Sequence, residues 1–239
     1  FALTFPQLPN AIQSVVANAY LLCRITDTIE DTTDLDVQSK TVFHQRFIDV
    51  VNGREEVDAL INDLAPKLKN HPHREEVELV EKMDAVIRVL ESFNQRQKSA
   101  LCRCIEIMGH GMAEYERHCS QNGLRDIPAL DHYCYVVAGV VGEMLTELFC
   151  DYSSEIDQNR EKLQALAVSF GEGLQMTNIL KDIHDDWQRG VCWLPADHFK
   201  AHGCEINQLD QYRNETGYSQ AVLELVNKAN GHLEDALNY

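Results

Sequence analysis

Two clusters of carboxylates have the residue types and the spacing that could bind a divalent cation. The first is DTIED, in which Asp27 and Asp31 are four residues apart. The second is DIHDD, in which Asp182 and Asp186 have the same spacing. On a helix, side chains at this spacing lie on one face, one turn apart. Each cluster therefore offers a pair of carboxylates on a single helix face.

The repetition of this spacing makes a metal site an alternative to ordinary acidic surface. Each cluster has a further acidic residue, Glu30 or Asp185, one position before its last aspartate. Like charges at this spacing repel, so two such pairs brought together need a cation. Mg²⁺ prefers carboxylate oxygens together with substrate phosphates. A single pair in so acidic a chain is typical of surface charge, whereas two matched clusters leave the Mg²⁺–diphosphate site and the charged surface as equal alternatives.

The elements that carry these clusters have the pattern of helices. The chain of 239 residues has only 12 Gly and 6 Pro, and no alternating strand pattern occurs. Apolar residues recur at helical spacing, which predicts helices over residues 11–30, 38–51, 55–64, 77–90, 95–119, 131–149, 161–187 and from 219 onward. We therefore predict an all-α fold, with roughly eight or more helices around one core.

Composition excludes several classes of function. The net charge of −17 argues against nucleic-acid binding, and an anionic substrate would need local cations. The 8 cysteines include no C-x-x-C pair, which predicts reduced thiols and a cytoplasmic location. The sequence contains no H-E-x-x-H motif, which would have indicated a zinc hydrolase. No signal peptide is visible, and no run reaches the roughly 18 consecutive apolar residues of a membrane span.

The sequence around both clusters resembles one family. YLLCRITDTIED resembles the first aspartate-rich motif of the squalene and phytoene synthase family, and QMTNILKDIHDDWQRGVCWLP resembles the second. HGMAEY and HYCYVVAGVVGEMLTELF, which lie between them, are similar to two further family segments in the same order. The resemblance extends from Phe1 to about Phe199. It implies a catalytic domain over residues 1–239, incomplete at both ends, that forms an isoprenoid-synthase helical bundle with a central cavity.

The same resemblance implies an activity. It implies Mg²⁺-dependent, head-to-head condensation of two farnesyl diphosphates through presqualene diphosphate, followed by reduction with NADPH to squalene. The forms DTIED and LTELF are more similar to squalene synthases than to phytoene synthases. Three alternatives stay open: a phytoene or dehydrosqualene synthase without hydride transfer, a non-catalytic protein of the same fold, and Mn²⁺ as the metal. The apolar product implies peripheral contact with a membrane.

Roles for individual residues also follow from the resemblance. It implies that the metal ligands are Asp27, Glu30, Asp31, Asn178, Asp182, Asp185 and Asp186. It implies catalytic roles, in proton transfer or in contact with diphosphate and cofactor, for Tyr20, Arg24, Tyr133, Lys181 and Arg189. It implies substrate contacts for Phe1, Val137, Ala138, Gly142, Met144, Leu145, Gln175 and Asn178. Without the resemblance, Tyr133 would be interpreted as a core tyrosine, and Arg24 and Lys181 as members of ordinary ion pairs.

Two positions depart from the family pattern. Val191 stands where the family has an arginine after the glycine of the second motif, and Arg189 is the candidate replacement. Lys181 also stands in place of an arginine, so it offers a point charge where the family has a bidentate fork. NADPH binding has no motif of its own, because no G-x-G-x-x-G occurs.

Overall fold

A computed structural model describes residues 5–118, 120–212 and 215–239, and it is built from helices. These ranges contain no strand, only an isolated bridge between Leu124 and Pro195. The prediction of an all-α fold is confirmed. Phe1, which was predicted to contact substrate, lies outside the described residues.

The chain divides into two compact units. The first comprises Phe1–Glu116 and Met144–Arg160, and the second comprises Arg117–Glu143 and Glu161–Tyr239. The α-helices in chain order are α1 Asn10–Asp31, α2 Val37–Val51, α3 Val57–Leu64, α4 Arg74–Glu81, α5 Met83–Glu91, α6 Gln95–His118, α7 Ile127–Cys134, α8 Val140–Tyr152, α9 Ser154–Asp157, α10 Arg160–Gln188, α11 Ala196–Ala201, α12 Leu209–Tyr212 and α13 Thr216–Ala236. A π-helical segment, Tyr135–Gly139, joins α7 to α8. The single catalytic domain stays a prediction.

In the first unit, α1 packs against α2, α4 and α5 through the apolar face that its sequence predicts. The buried residues of that face recur every three or four positions and include Ile12, Val15, Val16, Ala19, Leu22 and Cys23. Burial of each large aliphatic side chain stabilises the fold by roughly 1.5–3 kcal/mol. This face fixes the rotation of α1, and with it the direction of the first aspartate cluster.

The predicted single helix over residues 77–90 is wrong, because the chain breaks at Lys82 into α4 and α5. The apolar residues Val77, Val80, Met83 and Val86 are spaced by three, and all are buried. A spacing of three falls short of the 3.6 residues of a helical turn, so the apolar stripe drifts around a continuous helix. After the break at Lys82, the apolar residues of α5 again face the core.

In the second unit, α7 begins four residues earlier than predicted. Asp126 is its N-cap and accepts a hydrogen bond from the backbone N–H of Ala129 at 2.9 Å, and Pro128 lies in the first turn. Aspartate at the cap followed by proline is a standard start signal for a helix. In the described chain, the continuous helical stretch Ile127–Tyr152 is long and apolar enough to cross a membrane, and half of an apolar 18-residue segment within it is buried.

Close helix packing explains the small residues in the predicted substrate wall. A Cβ added to Gly142 would lie 2.3 Å from the carbonyl oxygen of Ala167. A Cβ added to Gly171 would lie 2.4 Å from the carbonyl oxygen of Ala138. The stretch around Ala138–Gly142 and α10 therefore meet backbone to backbone, and the glycines there are needed for packing whatever the substrate is.

The cysteines that the structure describes are free thiols, in agreement with the prediction. Cys102 is half-buried, and the others are buried: Cys23, Cys104, Cys134, Cys150, Cys192 and Cys204. Burial raises the pKa of several of these thiols, including that of Cys192 to about 11, which disfavours the reactive thiolate.

The carboxyl group of Glu172 in α10 gives a pH-dependent prediction for the second unit. Burial, and then the nearby charge of Asp131, raise its pKa to about 7, against the opposing effect of Lys228. Because the folded pKa exceeds the ordinary 4.5, this group's contribution to stability is lost as pH rises from about 4.5 to 7. We expect Glu172→Gln to raise the free energy of unfolding by about 1–3 kcal/mol at pH 8 and to change it little near pH 5.

Denaturant unfolding of Glu172→Gln at the two pH values measures this difference. Glu234→Gln, which changes an exposed carboxylate on α13, is the matched control and should have little effect at either pH. An equal change at both pH values would contradict the titration of Glu172 as the cause.

Candidate functional site

The first aspartate cluster occupies the last turn of α1. Asp27 and Glu30 are half-buried there, and Asp31 is exposed. The C-terminal end of a helix carries partial negative charge, so carboxylates are unfavourable at this position without a compensating cation. Helix stability alone would therefore not favour carboxylates at this position.

Burial and mutual repulsion raise the pKa values of these carboxyl groups. The pKa of Asp27 rises to about 6, chiefly through burial, although Arg24 opposes the shift. The pKa of Glu30 rises to about 8 through burial and then through the charges of Asp31 and Asp27. A divalent cation would relieve both effects, because it stabilises the ionised form of every carboxylate around it. The donor set of hard oxygens therefore fits Mg²⁺.

Arg24 is fixed beside this cluster by two carboxylates. Its Nη1 donates to Oδ2 of Asp27 at 2.9 Å, and its Nη2 donates to Oε1 of Glu76 in α4. Oε2 of Glu76 accepts from the hydroxyl of Thr28 at 3.4 Å and lies 3.5 Å from Nε2 of His71. Glu76 was not predicted from the sequence, since it is distant in the chain from Arg24 and belongs to no recognised motif.

Lys40 and Glu116 complete the surroundings of the first cluster. The ammonium group of Lys40 donates to the carbonyl oxygen of Glu30 and to Oε1 of Glu116. A cation at this carbonyl satisfies the C-terminal end of α1. Neither residue was predicted from the sequence. Tyr20, which was predicted to be catalytic, is half-buried, and its ring lies edge-on to that of Phe5 with centroids 5.5 Å apart.

The second cluster lies in the last two turns of α10, where the three aspartates differ in exposure. The side chain of Asp186 is 8% exposed and accepts a hydrogen bond from Nη2 of Arg189. The side chain of Asp182 is 39% exposed, and its Oδ2 lies 3.3 Å from Nζ of Lys181. Asp185 is exposed. Burial raises the pKa of Asp186, Arg189 lowers it, and the charges of Asp182 and Asp185 raise it further.

The turn after α10 contains Val191, which departs from the family pattern, and Arg189, its candidate replacement. Gly190 has φ of +83°, a left-handed conformation that ends the helix. The backbone N–H groups of Arg189 and Val191 both donate to the carbonyl oxygen of Asp186, each at 3.0 Å. The guanidinium of Arg189 lies at the buried Asp186, and its role as the replacement for an arginine at position 191 stays a prediction.

Tyr133 is buried against an aromatic partner. Its ring stacks on that of Trp193 with centroids 4.1 Å apart and an angle of 8° between the planes. The Trp193 segment is anchored, because the N–H of Leu124 donates to the carbonyl oxygen of Leu194 at 2.9 Å. Sequence reasoning assigned no role to Trp193, although it lies in the WLP portion of the second motif.

The remaining predicted site residues differ in exposure. Gln175 is half-buried and Asn178 is exposed on α10, upstream of the second cluster. Among the predicted substrate contacts, Met144 is buried and the others are half-buried: Val137, Ala138, Gly142 and Leu145. Their roles in metal or substrate binding stay predictions.

An all-α fold that carries an aspartate motif at the end of each of two long helices is the arrangement of the helical isoprenoid synthases. The sequence pattern of the squalene/phytoene synthase family matches residues 1–239, and the chain belongs to this family.

Curated relatives include fungal squalene synthases. The chain is 30% identical over 241 residues to a squalene synthase of Gibberella zeae, and the match covers 100% of this chain and 50% of that protein. It is 29% identical over 241 residues to a probable squalene synthase of Neurospora crassa, with coverage of 100% and 48%. The chain therefore spans about half the length of the curated relatives that it matches.

Solved structures share the fold. A ligand complex of TcSQS superimposes with a TM-score of 0.70 at 20% identity, covering 98% of this chain and 65% of that one. A dehydrosqualene synthase in complex with a ligand gives a TM-score of 0.64 at 22% identity, with coverage of 99% and 70%. These similarities establish the fold.

Proposed function

We propose that this protein is a squalene synthase that condenses two farnesyl diphosphates head to head through presqualene diphosphate and then reduces the product with NADPH. The observation that carries this proposal is that each aspartate motif combines clustered carboxylates with an adjacent guanidinium group, Arg24 or Arg189. Carboxylates for a metal and cations for phosphate are the two requirements of diphosphate ionisation. We also propose a cytoplasmic location, with peripheral contact with a membrane for release of the apolar product.

Each motif would hold metal with its own carboxylates. Asp27, Asp31, Asp182 and Asp186 are the proposed Mg²⁺ ligands, with Glu30 and Asp185 beside them. Bound Mg²⁺ would supply Lewis-acid neutralisation of the leaving diphosphate. Exposure differs among these carboxylates, and we propose that the buried Asp186 is the most rigidly held ligand of the second motif.

The basic residues of the motifs would bind diphosphate oxygens. Arg24, Lys181 and Arg189 are each paired with a motif carboxylate through a side-chain nitrogen. When a cation neutralises those carboxylates, the remaining N–H donors can turn to phosphate oxygens, for which a guanidinium fork is well suited.

Tyr133 would move the proton in cyclopropane formation. Its hydroxyl is the proposed acid–base group, and the stacked indole of Trp193 restricts the ring to one plane. The electron-rich face of an aromatic ring also stabilises a nearby cation, which suits an allylic carbocation. Reduction by NADPH is part of the proposal, and we assign no residue to it.

A product assay separates squalene synthase from the alternatives. Purified protein is supplied with Mg²⁺ and either farnesyl or geranylgeranyl diphosphate, with and without NADPH, and the hydrocarbons are identified by mass spectrometry. We expect squalene only when NADPH is present. Dehydrosqualene in both reactions would favour the synthase that omits hydride transfer, to which one structural relative belongs. No Mg²⁺-dependent product from either farnesyl or geranylgeranyl diphosphate would favour a non-catalytic protein.

Glu76→Gln tests the second carboxylate that holds Arg24. A hydrogen bond to a charged group contributes about 1.5–3 kcal/mol, and the partly exposed position of Arg24 reduces this. We expect kcat/KM for farnesyl diphosphate to fall about tenfold, because the guanidinium is no longer fixed between two carboxylates. Steady-state kinetics over a range of farnesyl diphosphate concentrations measures the change.

Glu75→Gln is the matched control for this substitution. The side chain of Glu75 is 79% exposed and neighbours Glu76 in the sequence, so its loss should leave kcat/KM unchanged. Equal activity of the two variants would remove Glu76 from the proposed positioning of Arg24.

A further inference from the structure

A second group of metal-ligand side chains lies in the second unit, away in sequence from both aspartate motifs. His198 in α11 and His202 at the end of that helix are four residues apart, so their rings lie on one face with centroids 4.9 Å apart. Glu224 reaches them from α13. One ligand atom from each of the three side chains lies within 4.8 Å of the other two.

Hydrogen bonding leaves a nitrogen of His202 facing the carboxylate. Nδ1 of His202 lies 2.9 Å from the carbonyl oxygen of His198. A carbonyl oxygen only accepts, so this nitrogen carries the hydrogen, and the lone pair of the neutral ring lies on Nε2. Nε2 lies 3.2 Å from Oε1 of Glu224. Two acceptors at that distance require a proton or a metal ion between them, and backbone orientation of the opposite ring nitrogen is the usual support for a metal-binding histidine.

His198, the third side chain of the group, occupies a position that is largely enclosed. Its side chain is 9% exposed, compared with 19% for His202 and 59% for Glu224. Nε2 of His198 lies 3.8 Å from Oε2 of Glu224 and 3.0 Å from the carbonyl oxygen of Ala221. Metal binding at this nitrogen would replace its hydrogen bond to Ala221. The exposed carboxylate can move toward the two less exposed rings.

We infer that His198, His202 and Glu224 bind a divalent transition metal of the zinc class, which joins α11 to α13. Two imidazole nitrogens and one carboxylate are a ligand set that suits Zn²⁺ and Co²⁺, whereas Mg²⁺ prefers oxygen ligands. Solvent would complete the coordination. The inference does not depend on the proposed function, because the site lies outside the residues assigned to farnesyl diphosphate.

Titration with Co²⁺ and Zn²⁺ tests the site in the full chain after removal of any affinity tag. We expect one equivalent of Co²⁺ to produce visible ligand-field absorption that Zn²⁺ abolishes and excess Mg²⁺ does not. Cys204 lies close by, with its Sγ 3.7 Å from the carbonyl oxygen of His202. A sulfur-to-cobalt charge-transfer band is therefore the indicator of thiolate ligation, and we expect none.

Glu224→Gln and His202→Gln are the test variants, since both side chains retain solvent contact and their replacement should leave the fold intact. We expect each variant to bind Zn²⁺ at least about tenfold more weakly and to lose the increase in melting temperature that Zn²⁺ gives the parent protein. His73→Gln, which changes an exposed histidine of the first unit, is the control and should retain both properties.

Three outcomes would overturn the inference. They are a parent protein that shows no saturable Co²⁺ spectrum, binding that the two variants leave unchanged, and a spectrum dominated by thiolate ligation. Each would reduce the cluster to an ion pair between His202 and Glu224.

Discussion

Asp27→Asn is expected to form product from farnesyl diphosphate about a thousandfold more slowly than the parent protein. Asparagine keeps the shape of the side chain but removes the charge that the proposed Mg²⁺ requires. Metal stabilisation of the leaving diphosphate contributes several kcal/mol, and each 1.4 kcal/mol corresponds to about a factor of ten. Initial rates measured at saturating Mg²⁺ provide the test.

We expect Asp27→Asn to leave the thermal stability unchanged or to increase it, although it reduces the rate of product formation. The pKa of Asp27 is raised to about 6, so at pH 8 its ionisation costs the folded state free energy that asparagine does not. The loss of its ion pair with Arg24 offsets part of this gain. We expect the melting temperature without metal to stay the same or rise by a few degrees, roughly as for a change of about 1 kcal/mol.

Asp84→Asn is the matched control for the activity measurement. Asp84 is an α5 aspartate whose side chain is 34% exposed and forms an ion pair with Arg88 one turn away. Its replacement should leave the rate unchanged. A rate for Asp27→Asn within about tenfold of the parent would contradict the assignment of Asp27 to the metal.

Tyr133→Phe is expected to reduce turnover about a hundred- to a thousandfold. General acid–base catalysis by a positioned side chain contributes factors of about 10²–10⁴, and phenylalanine lacks the hydroxyl that would transfer the proton. The stacking on Trp193 should persist, because the phenyl ring has the same shape. Formation of presqualene diphosphate, measured in single turnovers, is the step that should slow.

Tyr152→Phe supplies the control for the hydroxyl. The tyrosine of α8 is 46% exposed, and its replacement should leave turnover and melting temperature unchanged. If Tyr133→Phe retained more than about a third of the parent turnover with an unchanged melting temperature, Tyr133 would be a core residue and not the acid–base group.

Periodic apolar patterns predicted most of the helices, because the spacing of side chains around a helix depends only on local backbone geometry. The residues of α1 that recur every three or four positions are the ones that its packing buries. Prediction failed where competing local signals mattered. Three-residue spacing across Lys82 produced a break, and the Asp126 cap began α7 earlier than its apolar periodicity suggested.

The sequence by itself determined which carboxylates share a helix face, since four residues in a helix always return to the same side. It also identified the family, because four segments resemble motifs of that family and occur in the same order. Only the tertiary structure decided that Glu76 holds Arg24, that Asp186 is buried while Asp185 is exposed, and that Tyr133 stacks on Trp193. Contacts between residues distant in the chain and differences in solvent exposure arise from packing between helices, which no local spacing encodes.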